Sequence, residues 1–202
     1  MTEGERSGVE GTVHPTAVVE PGAQLGPGTK VWHHAHVRSG AIVGSGCVLG
    51  KNVFVDAGVR IGNGVKVQNN VSVYAGVTLE DEVFVGPSAV FTNDRVPRAT
   101  AQTWELLPTL VCRGASIGAN ATLVAGIVIG PWAMVAAGAV VTRSVDDHEL
   151  MAGNPARRLA WVCRCGATRR RADDTQSAEC PICATVLDQQ VGHRTRPLLE
   201  TE

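Results

Sequence analysis

Apolar residues recur at every sixth position along most of this chain. The series begins at Val13, runs without a break to Phe91, and resumes from Val111 to Val141. A second small or branched residue stands four positions after each apolar one, as Ala17 does after Val13. Positions i+4 and i+6 are two apart, so both side chains leave the same face of a short strand. The pattern therefore predicts one short strand in every six residues.

The residues between these strands predict tight turns. Ten of the twenty repeats carry Gly at position i+3, and three carry Asn: Asn52, Asn70 and Asn120. Those residue types enter the left-handed backbone region at the lowest cost. A period of six matches neither 3.6 nor 3.5, which excludes an amphipathic helix. A short strand and a tight turn repeated in this way are typical of a parallel β-helix, an all-β fold.

Three segments depart from the repeat. Phe91 and Val111 are two residues out of register, so residues 92–110 must leave the coil as a loop. Long loops on rigid repeats usually carry function, although a tolerated insertion is the alternative. The repeat ends again within residues 144–160, and the segment after Trp161 holds four of the six cysteines. We therefore divide the chain into a flexible lead-in (1–12), a β-helix domain (13–146), a connector (147–160) and a tail (161–202).

Net charge and the lack of long apolar runs limit which partners and which cellular location we expect for the protein. The formal net charge of −1 gives no bias toward nucleic acid or an anionic membrane. No apolar run approaches the ~20 residues that span a bilayer. The first twelve residues are polar and lack the apolar stretch of a secretory signal. We expect a cytoplasmic protein without a nucleic-acid partner and without membrane insertion.

Several longer motifs make the comparison with a known family specific. The segments VWHHAHV, VQNNVSVY, FTNDRVPR and GNPARR, with the repeats around them, resemble the N-acetyltransferases of nucleotide-linked 3-amino sugars. Two branches are close, acting on UDP-2-acetamido-3-amino-2,3-dideoxyglucuronate and on dTDP-3-amino-3,6-dideoxyhexoses. The resemblance covers about residues 13–162. It implies acetyl-CoA as cosubstrate, a role in surface polysaccharide biosynthesis, and homotrimers with sites between subunits.

The resemblance also implies a left-handed β-helix with three repeats in each triangular coil. General rules for crossovers between parallel strands would favour the opposite hand. With three repeats per coil, residues eighteen apart lie above one another, at ~4.8 Å per coil. His33 and Asn69 then share one turn position, and His34 and Asn70 share the next. One edge of the prism is thus expected to display two histidines and two asparagines.

The proposed chemistry asks that one ammonium be bound, oriented and deprotonated before it attacks a thioester. The resemblance implies that an Asn of the QNN segment holds the amine while the departing CoA sulfur takes the proton. Asn70 and Asn69 are the catalytic candidates, and Gln68, Tyr74, His33 and His34 are candidates for contact with the substrate.

Three other interpretations of this edge stay open. His33, His34 or His36 could act as a general base instead of the asparagine. Asn70 and His34 also occupy the turn position that needs a left-handed backbone, so their role could be structural. The three histidines crowd one repeat, which suggests a metal site, but no further His follows before His148.

The two substrates bring several phosphates, and arginine suits their bidentate recognition. On the loop, Arg95 and Arg98 stand beside Asn93 and Asp94, where we expect them to reach a sugar nucleotide across a subunit boundary. For coenzyme A, the resemblance indicates the upper coils, with pantetheine beside exposed backbone amides. Its candidate contacts are Ala125, Ala137, Gly138, Arg143, Arg157 and Arg158. A solvated surface charge is the alternative for each arginine.

Two cysteine pairs in the tail predict a structural zinc site. Cys163 and Cys165 form a CxC pair, and Cys180 and Cys183 form a CxxC pair. In a chain without a secretory signal, such pairs favour zinc over disulfides. A ribbon of under ~40 residues cannot build an adequate core alone, so the metal would stabilise it.

Together these observations favour an acetyl-CoA-dependent N-acetyltransferase of a UDP- or dTDP-linked amino sugar. One alternative is an O-acetyltransferase of a small hydroxyl acceptor with a His general base. Another is a non-catalytic hexapeptide-repeat scaffold, which would have no reason to keep the QNN, FTNDRxPR and GNPARR segments together. The nucleotide base, the sugar and the acyl group stay open.

Overall fold

The structure is a computed structural model that describes residues 11–169, 178–180, 182–184 and 186–187. Most of the predicted lead-in and much of the tail lie outside these ranges. The described residues form strands, turns and loops. They contain no helix long and apolar enough to cross a membrane.

The described residues contain twenty-five strands, most of them only two residues long, as the repeat predicts. They are β1 (Thr12–Val13), β2 (Val18–Val19), β3 (Gln24–Leu25), β4 (Lys30–Val31), β5 (His36–Val37), β6 (Ile42–Val43), β7 (Val48–Leu49), β8 (Phe54–Val55), β9 (Arg60–Ile61), β10 (Lys66–Val67), β11 (Ser72–Val73), β12 (Val77–Leu79), β13 (Phe84–Val85), β14 (Val90–Phe91), β15 (Thr109–Val111), β16 (Ser116–Ile117), β17 (Thr122–Leu123), β18 (Val128–Ile129), β19 (Met134–Val135), β20 (Val140–Val141), β21 (Glu149–Gly153), β22 (Ala156–Val162), β23 (Thr168–Arg169), β24 (Ala178–Glu179) and β25 (Val186–Leu187).

Strands β1 to β21 build a parallel β-helix with three sheets, β22 and β23 extend one of them in antiparallel fashion, and β24 pairs with β25 in a separate two-stranded sheet. Sheet 1 has the order β1-β4-β7-β10-β13-β16-β19-β21-β22-β23, sheet 2 has β2-β5-β8-β11-β14-β17-β20, and sheet 3 has β3-β6-β9-β12-β15-β18. Val13 pairs with Val31 and Val31 with Leu49, which confirms that one coil contains three repeats. The left hand stays a prediction from the family resemblance.

The insertion leaves the coil between sheets 2 and 3. Leu79 pairs with Val111, thirty-two residues later instead of eighteen, so the loop adds fourteen residues to its coil. The chain leaves β14 at Phe91 and re-enters the sheet at Thr109. Residues 109 and 110, predicted as loop, belong to β15 because they pair with Val77 and Thr78.

The interior of the coil is packed with aliphatic side chains. From Val31 onward the apolar residues of the repeat are buried, with Leu49, Leu79 and Phe91 among the largest fully buried side chains. Val13, in the first coil, is 46% exposed because no described coil lies beneath it. Since removal of apolar surface from water stabilises a fold, the stacked core holds the helix together and leaves binding to the outside.

The turns stack into three edges of the coil. The Asn70 edge, between sheets 1 and 2, has turns at 15–16, 33–34, 51–52, 69–70, 87–88, 119–120 and 137–138. The loop edge, between sheets 2 and 3, has turns or bends at 21–22, 39–40, 57–58, 75–76 and 125–126, and carries the loop 92–108. The Trp132 edge, between sheets 3 and 1, has turns at 27–28, 45–46, 63–64, 81–82, 113–114, 131–132 and 147–148.

The connector is a β-hairpin rather than a simple end of the coil. β21 continues sheet 1 in parallel with β19, and β22 then returns antiparallel to β21. The GNPARR segment forms the hairpin turn, where the Asn154–Pro155 peptide bond is cis. Met151 and Ala156 are buried against the last coils, so the hairpin closes the upper end of the core.

Candidate functional site

The Asn70 edge brings together the histidines and asparagines that the repeat predicted to share columns. His33, Lys51 and Asn69 occupy one turn position in successive coils, and the next position holds His34, Asn52 and Asn70. The backbone φ angles of His34, Asn52 and Asn70 are 56°, 58° and 61°. The prediction of a left-handed backbone at these positions is confirmed.

Asn69 supports the turn below it. Its Oδ1 accepts a hydrogen bond from the backbone N–H of Lys51 at 2.9 Å. The same bond occurs on the Trp132 edge, where Oδ1 of Asn63 accepts from the backbone N–H of Ser45 at 2.9 Å. Because the contact recurs away from the Asn70 edge, it is a feature of the coil. One acceptor site on the Oδ1 of Asn69 is thus used in the coil, and its Nδ2 can still donate.

The side chain of Asn70 is held by its neighbour below. Nδ2 of Asn52 donates to Oδ1 of Asn70 at 3.0 Å, and both residues are exposed. An amide oxygen has two acceptor sites, so one stays available on Asn70. The bond also orients the amide group, which leaves the Asn70 side chain suited to contact an amine outside the coil.

A shallow cleft of about 180 Å³ lies beside this edge on the side of sheet 1. It is lined by Trp32, His33, Val48, Gly50, Lys51, Gln68 and Asn69. Gly50 stands between Trp32 and Gln68 in their column and lines the cleft. A Cβ on Gly50 would lie 2.6 Å from Oδ1 of Asn69, so the close packing of the turns requires glycine here.

Sequence reasoning identified three of the cleft residues, His33, Gln68 and Asn69, and missed Trp32 and Lys51. The signal was available, because Trp32 stands thirty-six residues before Gln68 and Lys51 eighteen before Asn69. Residues at those spacings share a column in a coil of three repeats.

Aromatic rings stack at the lower end of the cleft. The His33 ring lies 3.5 Å from the His14 ring and 6.2 Å from Trp32, with interplanar angles of 26° and 7°. Burial by its neighbours, followed by the charges of His33 and His34, lowers the pKa of His14 below its ordinary 6.5. His14 is therefore neutral at pH 7 and contributes a flat ring to the stack.

His36 points away from this cleft and pairs with a carboxylate. Its Nε2 lies 2.7 Å from Oε1 of Glu20, and its ring meets Phe54 edge-on at 5.6 Å. The backbone N–H of Ser39 donates to the other oxygen of Glu20 at 2.8 Å. The three histidines 33, 34 and 36 do not converge on a common point. A metal site at this edge is not supported in the described part of the chain, whose single group of potential metal ligands is the cysteine cluster.

The hydrogen bonds of Glu20 predict that the free energy of unfolding depends on pH. The hydrogen bond from the Ser39 amide, followed by that from His36, lowers the pKa of Glu20 below its ordinary 4.5. A lowered carboxyl pKa stabilises the fold above pH 4.5 and loses this effect as pH falls through the folded-state value. We expect Glu20→Gln to unfold at lower urea than wild type at pH 7, with a difference that shrinks as the pH falls below 4.5. A difference that stays the same from pH 7 into this acid range would assign the effect to packing.

The loop residues lie on a different edge from Asn70 and contact their own chain. Asn93 donates from Nδ2 to the Ala75 carbonyl at 3.3 Å, and Asp94 accepts from the Val96 amide at 2.8 Å. Nη2 of Arg95 donates to the Ala125 carbonyl at 3.2 Å, and Nη1 of Arg98 to the Pro97 carbonyl at 3.0 Å. Tyr74, 40% exposed, precedes the turn at 75–76 and lies 6.1 Å from Phe54. A single chain thus does not bring these side chains to Asn70.

The backbone positions predicted for coenzyme A separate into two groups. Ala137 and Gly138 are exposed on the Asn70 edge, three coils above Asn70, and a Cβ on Gly138 would meet nothing within 4 Å. Ala125 instead lies on the loop edge and is fully buried. Its N–H donates to Oγ1 of Thr92 at 2.8 Å. The expectation of an exposed amide at Ala125 is therefore wrong, because the base of the loop covers it.

The three arginines predicted for coenzyme A lie around the upper hairpin. Nη2 of Arg143 donates to Glu149 at 3.4 Å, and Glu149 is only 1% exposed. A buried carboxylate needs such a partner, so Arg143 has a structural task. Arg158 lies over the Trp161 ring at 4.0 Å, and Nη1 of Arg157 donates to the Ala156 carbonyl.

The four tail cysteines converge as predicted for a metal site. The sulfur atoms of Cys163, Cys165, Cys180 and Cys183 all lie within 4.8 Å of one another. Cys163 and Cys183 are 3.5 Å apart, and Cys165 and Cys180 are 3.6 Å apart. Tetrahedral zinc with ~2.3 Å bonds to sulfur separates its ligands by about 3.8 Å, whereas a disulfide requires about 2.05 Å. The arrangement fits zinc.

Comparison with known proteins identifies the repeats. Residues 58–93 match the family model described as bacterial transferase hexapeptide (six repeats), and residues 40–75 and 113–143 match the hexapeptide repeat of succinyl-transferase. The chain is 49% identical over 72 residues to dTDP-3-amino-3,6-dideoxy-α-D-galactopyranose 3-N-acetyltransferase of Aneurinibacillus thermoaerophilus, covering 36% of this chain and 38% of that protein. It is 36% identical over 84 residues to serine acetyltransferase 2 of Arabidopsis thaliana, covering 42% and 22%.

A solved structure shares the fold. The acetyltransferase domain of PglB from Neisseria gonorrhoeae FA1090 superposes with a TM-score of 0.51 at 24% identity, over 75% of this chain and 58% of that one. The chain spans less than half the length of the two curated relatives. Residues 40–93 and 113–143 of the coil therefore carry the hexapeptide repeat of bacterial transferases.

Proposed function

We propose that this protein transfers the acetyl group of acetyl-CoA to the 3-amino group of a UDP- or dTDP-linked amino sugar, in surface polysaccharide biosynthesis. The supporting observation is the order of features along the Asn70 edge. A cleft lies below the exposed Asn70 amide, and an open backbone at Ala137 and Gly138 lies above it. The relative that acts on a dTDP-linked 3-amino sugar supports this substrate class.

The Asn70 amide is suited to orient the attacking amine. Its free acceptor site on Oδ1 takes an N–H of the amine, which points the nitrogen lone pair at the thioester carbonyl carbon. The new C–N bond gives a tetrahedral intermediate, and the C–S bond then breaks. The thiolate leaves as the CoA thiol after it takes the proton from the sugar nitrogen.

The donor and acceptor would approach the edge from opposite ends. Acetyl-CoA lies along the upper coils, with its pantetheine beside Ala137 and Gly138. Exposed Arg157 and the half-buried Arg158 carry positive charge to that end for the CoA phosphates. Arg143 serves the buried Glu149 and contributes less to coenzyme binding.

A direct test is a panel of UDP- and dTDP-linked 3-amino sugars incubated with the protein and acetyl-CoA. Thiol release should depend on the 3-amino sugar nucleotide and should produce an N-acetylated sugar of the expected mass. Release with free amino acids or simple alcohols, but with none of the sugar nucleotides, would contradict the proposal.

The His36–Glu20 pair favours a second candidate, O-acetylation of a small hydroxyl acceptor. A carboxylate that binds one imidazole nitrogen leaves the other able to accept a proton, as general-base catalysis requires. The likeness to serine acetyltransferase supports the same idea. The two candidate functions predict different effects of the same substitution. His36→Asn should abolish O-acetylation, but it should leave N-acetylation through Asn70 largely intact.

We further propose that the protein is a homotrimer and that the loop completes the sugar-nucleotide site of a neighbouring subunit. The loop leaves a different edge from Asn70, so its arginines can serve that site only from another chain. The exposed Val96 and Trp104 offer apolar contacts for such an association.

Deletion of residues 94–106 tests the role of the loop. The Leu107 amide donates to the Asn93 carbonyl at 3.1 Å, so the ends of the deleted segment already meet. The deletion should raise the KM for the sugar nucleotide at least about ten-fold and leave the KM for acetyl-CoA within about two-fold, in line with loss of the Arg95 and Arg98 charges. Equal losses for both substrates would make the loop structural.

We also propose that the tail is a zinc ribbon whose metal has a structural role. Four thiolates fill a tetrahedral site and leave no position open for substrate, which argues against a role in catalysis. A site built from four reduced cysteines also suits the cytoplasm, the expected location of the protein.

A further inference from the structure

The cleft below Asn70 contains a flat, partly exposed aromatic surface that acetyl transfer itself does not use. Trp32 is 47% exposed and lines the cleft. His33 and His14 continue the stack on its far side, and the planes of Trp32 and His33 differ by only 7°. An indole held in place by stacked rings loses little freedom when another planar ring stacks on it.

A positive charge stands one coil above this surface. Lys51 lines the same cleft and is exposed. Among the residues that the structure describes, no carboxylate lies within 4.0 Å of its ammonium, since the ion pairs there involve only arginine and histidine. An unpaired ammonium in a cleft attracts anions such as phosphate.

Amide groups close the upper end of the cleft. Gln68 stands in the column of Trp32, two coils above it, and Asn69 stands in the column of Lys51. Oδ1 of Asn69 accepts a hydrogen bond from the Lys51 amide, which orients the side chain, and Nδ2 can donate to a ligand. The cleft thus offers an aromatic plane, a cation and amide donors in that order along the coil axis.

We infer that Trp32 and Lys51 form the nucleoside diphosphate subsite, with the pyrimidine base stacked on Trp32 and the diphosphate beside Lys51. The inference rests on the proposed function, because it assigns the remainder of the same substrate. Trp32 lies two coils below Asn70, roughly 10 Å away, with Lys51 halfway between. That order matches base, diphosphate and sugar in an extended nucleotide sugar whose 3-amino group reaches Asn70.

Binding of the free nucleotides tests the subsite without any acetyl transfer. Isothermal titration with UDP and with dTDP should give a Kd for the wild type that rises at least about ten-fold in Trp32→Ala, because base–aromatic stacking is lost. Trp32→Phe should retain most of the affinity. Lys51→Gln should weaken binding and reduce its dependence on salt. Trp132→Ala, which removes an indole from the Trp132 edge, is the matched control and should leave the Kd unchanged.

Two further measurements test whether the loss of affinity arises at the subsite itself. Thermal unfolding should show that Trp32→Ala is folded at the temperature of the titration. Its lower affinity then cannot be caused by unfolding. Excess CoA should not displace UDP, because coenzyme A occupies the upper coils. Equal affinity of wild type and Trp32→Ala for both nucleotides would overturn the inference. If Trp32 proves necessary for nucleotide binding while no sugar nucleotide is acetylated, the subsite stands and the proposed function fails.

Discussion

Replacement of Asn70 by glycine should lower kcat for acetyl transfer by about a hundred-fold or more, because the amide that orients the amine is lost. Glycine is the informative substitution. It keeps the backbone at the φ of 61° that the turn requires, whereas alanine would add strain there. Steady-state kinetics by thiol release would measure kcat and both KM values, and thermal unfolding would check the fold.

Two other left-handed turn positions sharpen this test. Glu82→Gly removes a side chain at a left-handed turn of the Trp132 edge, at a φ of 62°, and should leave kcat within about two-fold. Asn52→Gly removes the donor that orients the Asn70 amide and should lower kcat by about ten-fold, between the other two variants. Near-normal turnover in Asn70→Gly, together with an inactive His36→Asn, would favour general-base catalysis by the His36–Glu20 pair.

We expect the tail to contain about one zinc per chain, bound by four thiolates. Removal of the metal should release the four thiols and unfold the tail locally, because metal binding and folding of such a small unit are coupled. Metal analysis and thiol titration before and after treatment with a chelator would measure both changes. Circular dichroism should show that the β-helix, with its own aliphatic core, stays folded.

Truncation of the tail provides the control for the zinc experiment. The pairing of β22 determines which residue the shortened chain should end at. β22 extends to Val162, whose amide donates to the His148 carbonyl at 2.8 Å, and Ala160 and Val162 are buried. A chain that ends after Leu159 would lose this pairing, whereas one that ends after Val162 keeps the hairpin. The longer truncation should retain acetyl transfer. Purified protein without metal and with four accessible thiols would contradict the zinc assignment.

The fold was predictable because it is periodic. A repeat of six residues and three repeats per coil assign every residue to a strand or an edge by counting. The columns of His33 with Asn69 and of His34 with Asn70 were therefore predicted correctly from their spacing. The same counting, applied to Trp32 and Lys51, would have found the rest of the cleft.

Side-chain partners were not predictable in this way, because hydrogen bonds at the turns depend on directions that the period does not encode. Asn69 has the residue type expected of a catalytic amide, yet its oxygen binds the Lys51 amide as Asn63 binds Ser45. Ala125 has a small side chain, but the base of the loop covers its amide. Arg143 lies near the proposed coenzyme region and is paired with the buried Glu149.

In the tail, by contrast, the residue type was enough to predict the site although the spacing of the first cysteine pair is unusual. The CxC pair departs from the common CxxC spacing of zinc sites, yet all four sulfur atoms converge. A tight turn after the first cysteine permits this, since the Gly166 amide donates to the Cys163 carbonyl at 2.8 Å. Residue type and pairing were sufficient to predict the cluster, and the turn geometry came from the structure.

An enzyme that acetylates a 3-amino sugar must distinguish an amine from a hydroxyl at C3. Two nucleotide sugars that differ only at C3, one with an amine and the other with a hydroxyl, would be offered to the wild-type protein with acetyl-CoA. Product mass and thiol release would then be followed in a single turnover. We predict rapid acetylation of the 3-amino sugar nucleotide and at least about a hundred-fold slower reaction of its 3-hydroxy counterpart, because the Asn70 amide orients an amine but cannot accept the proton of an alcohol. Equal acetylation of both acceptors, or acetylation of the hydroxyl alone, would contradict the proposed function.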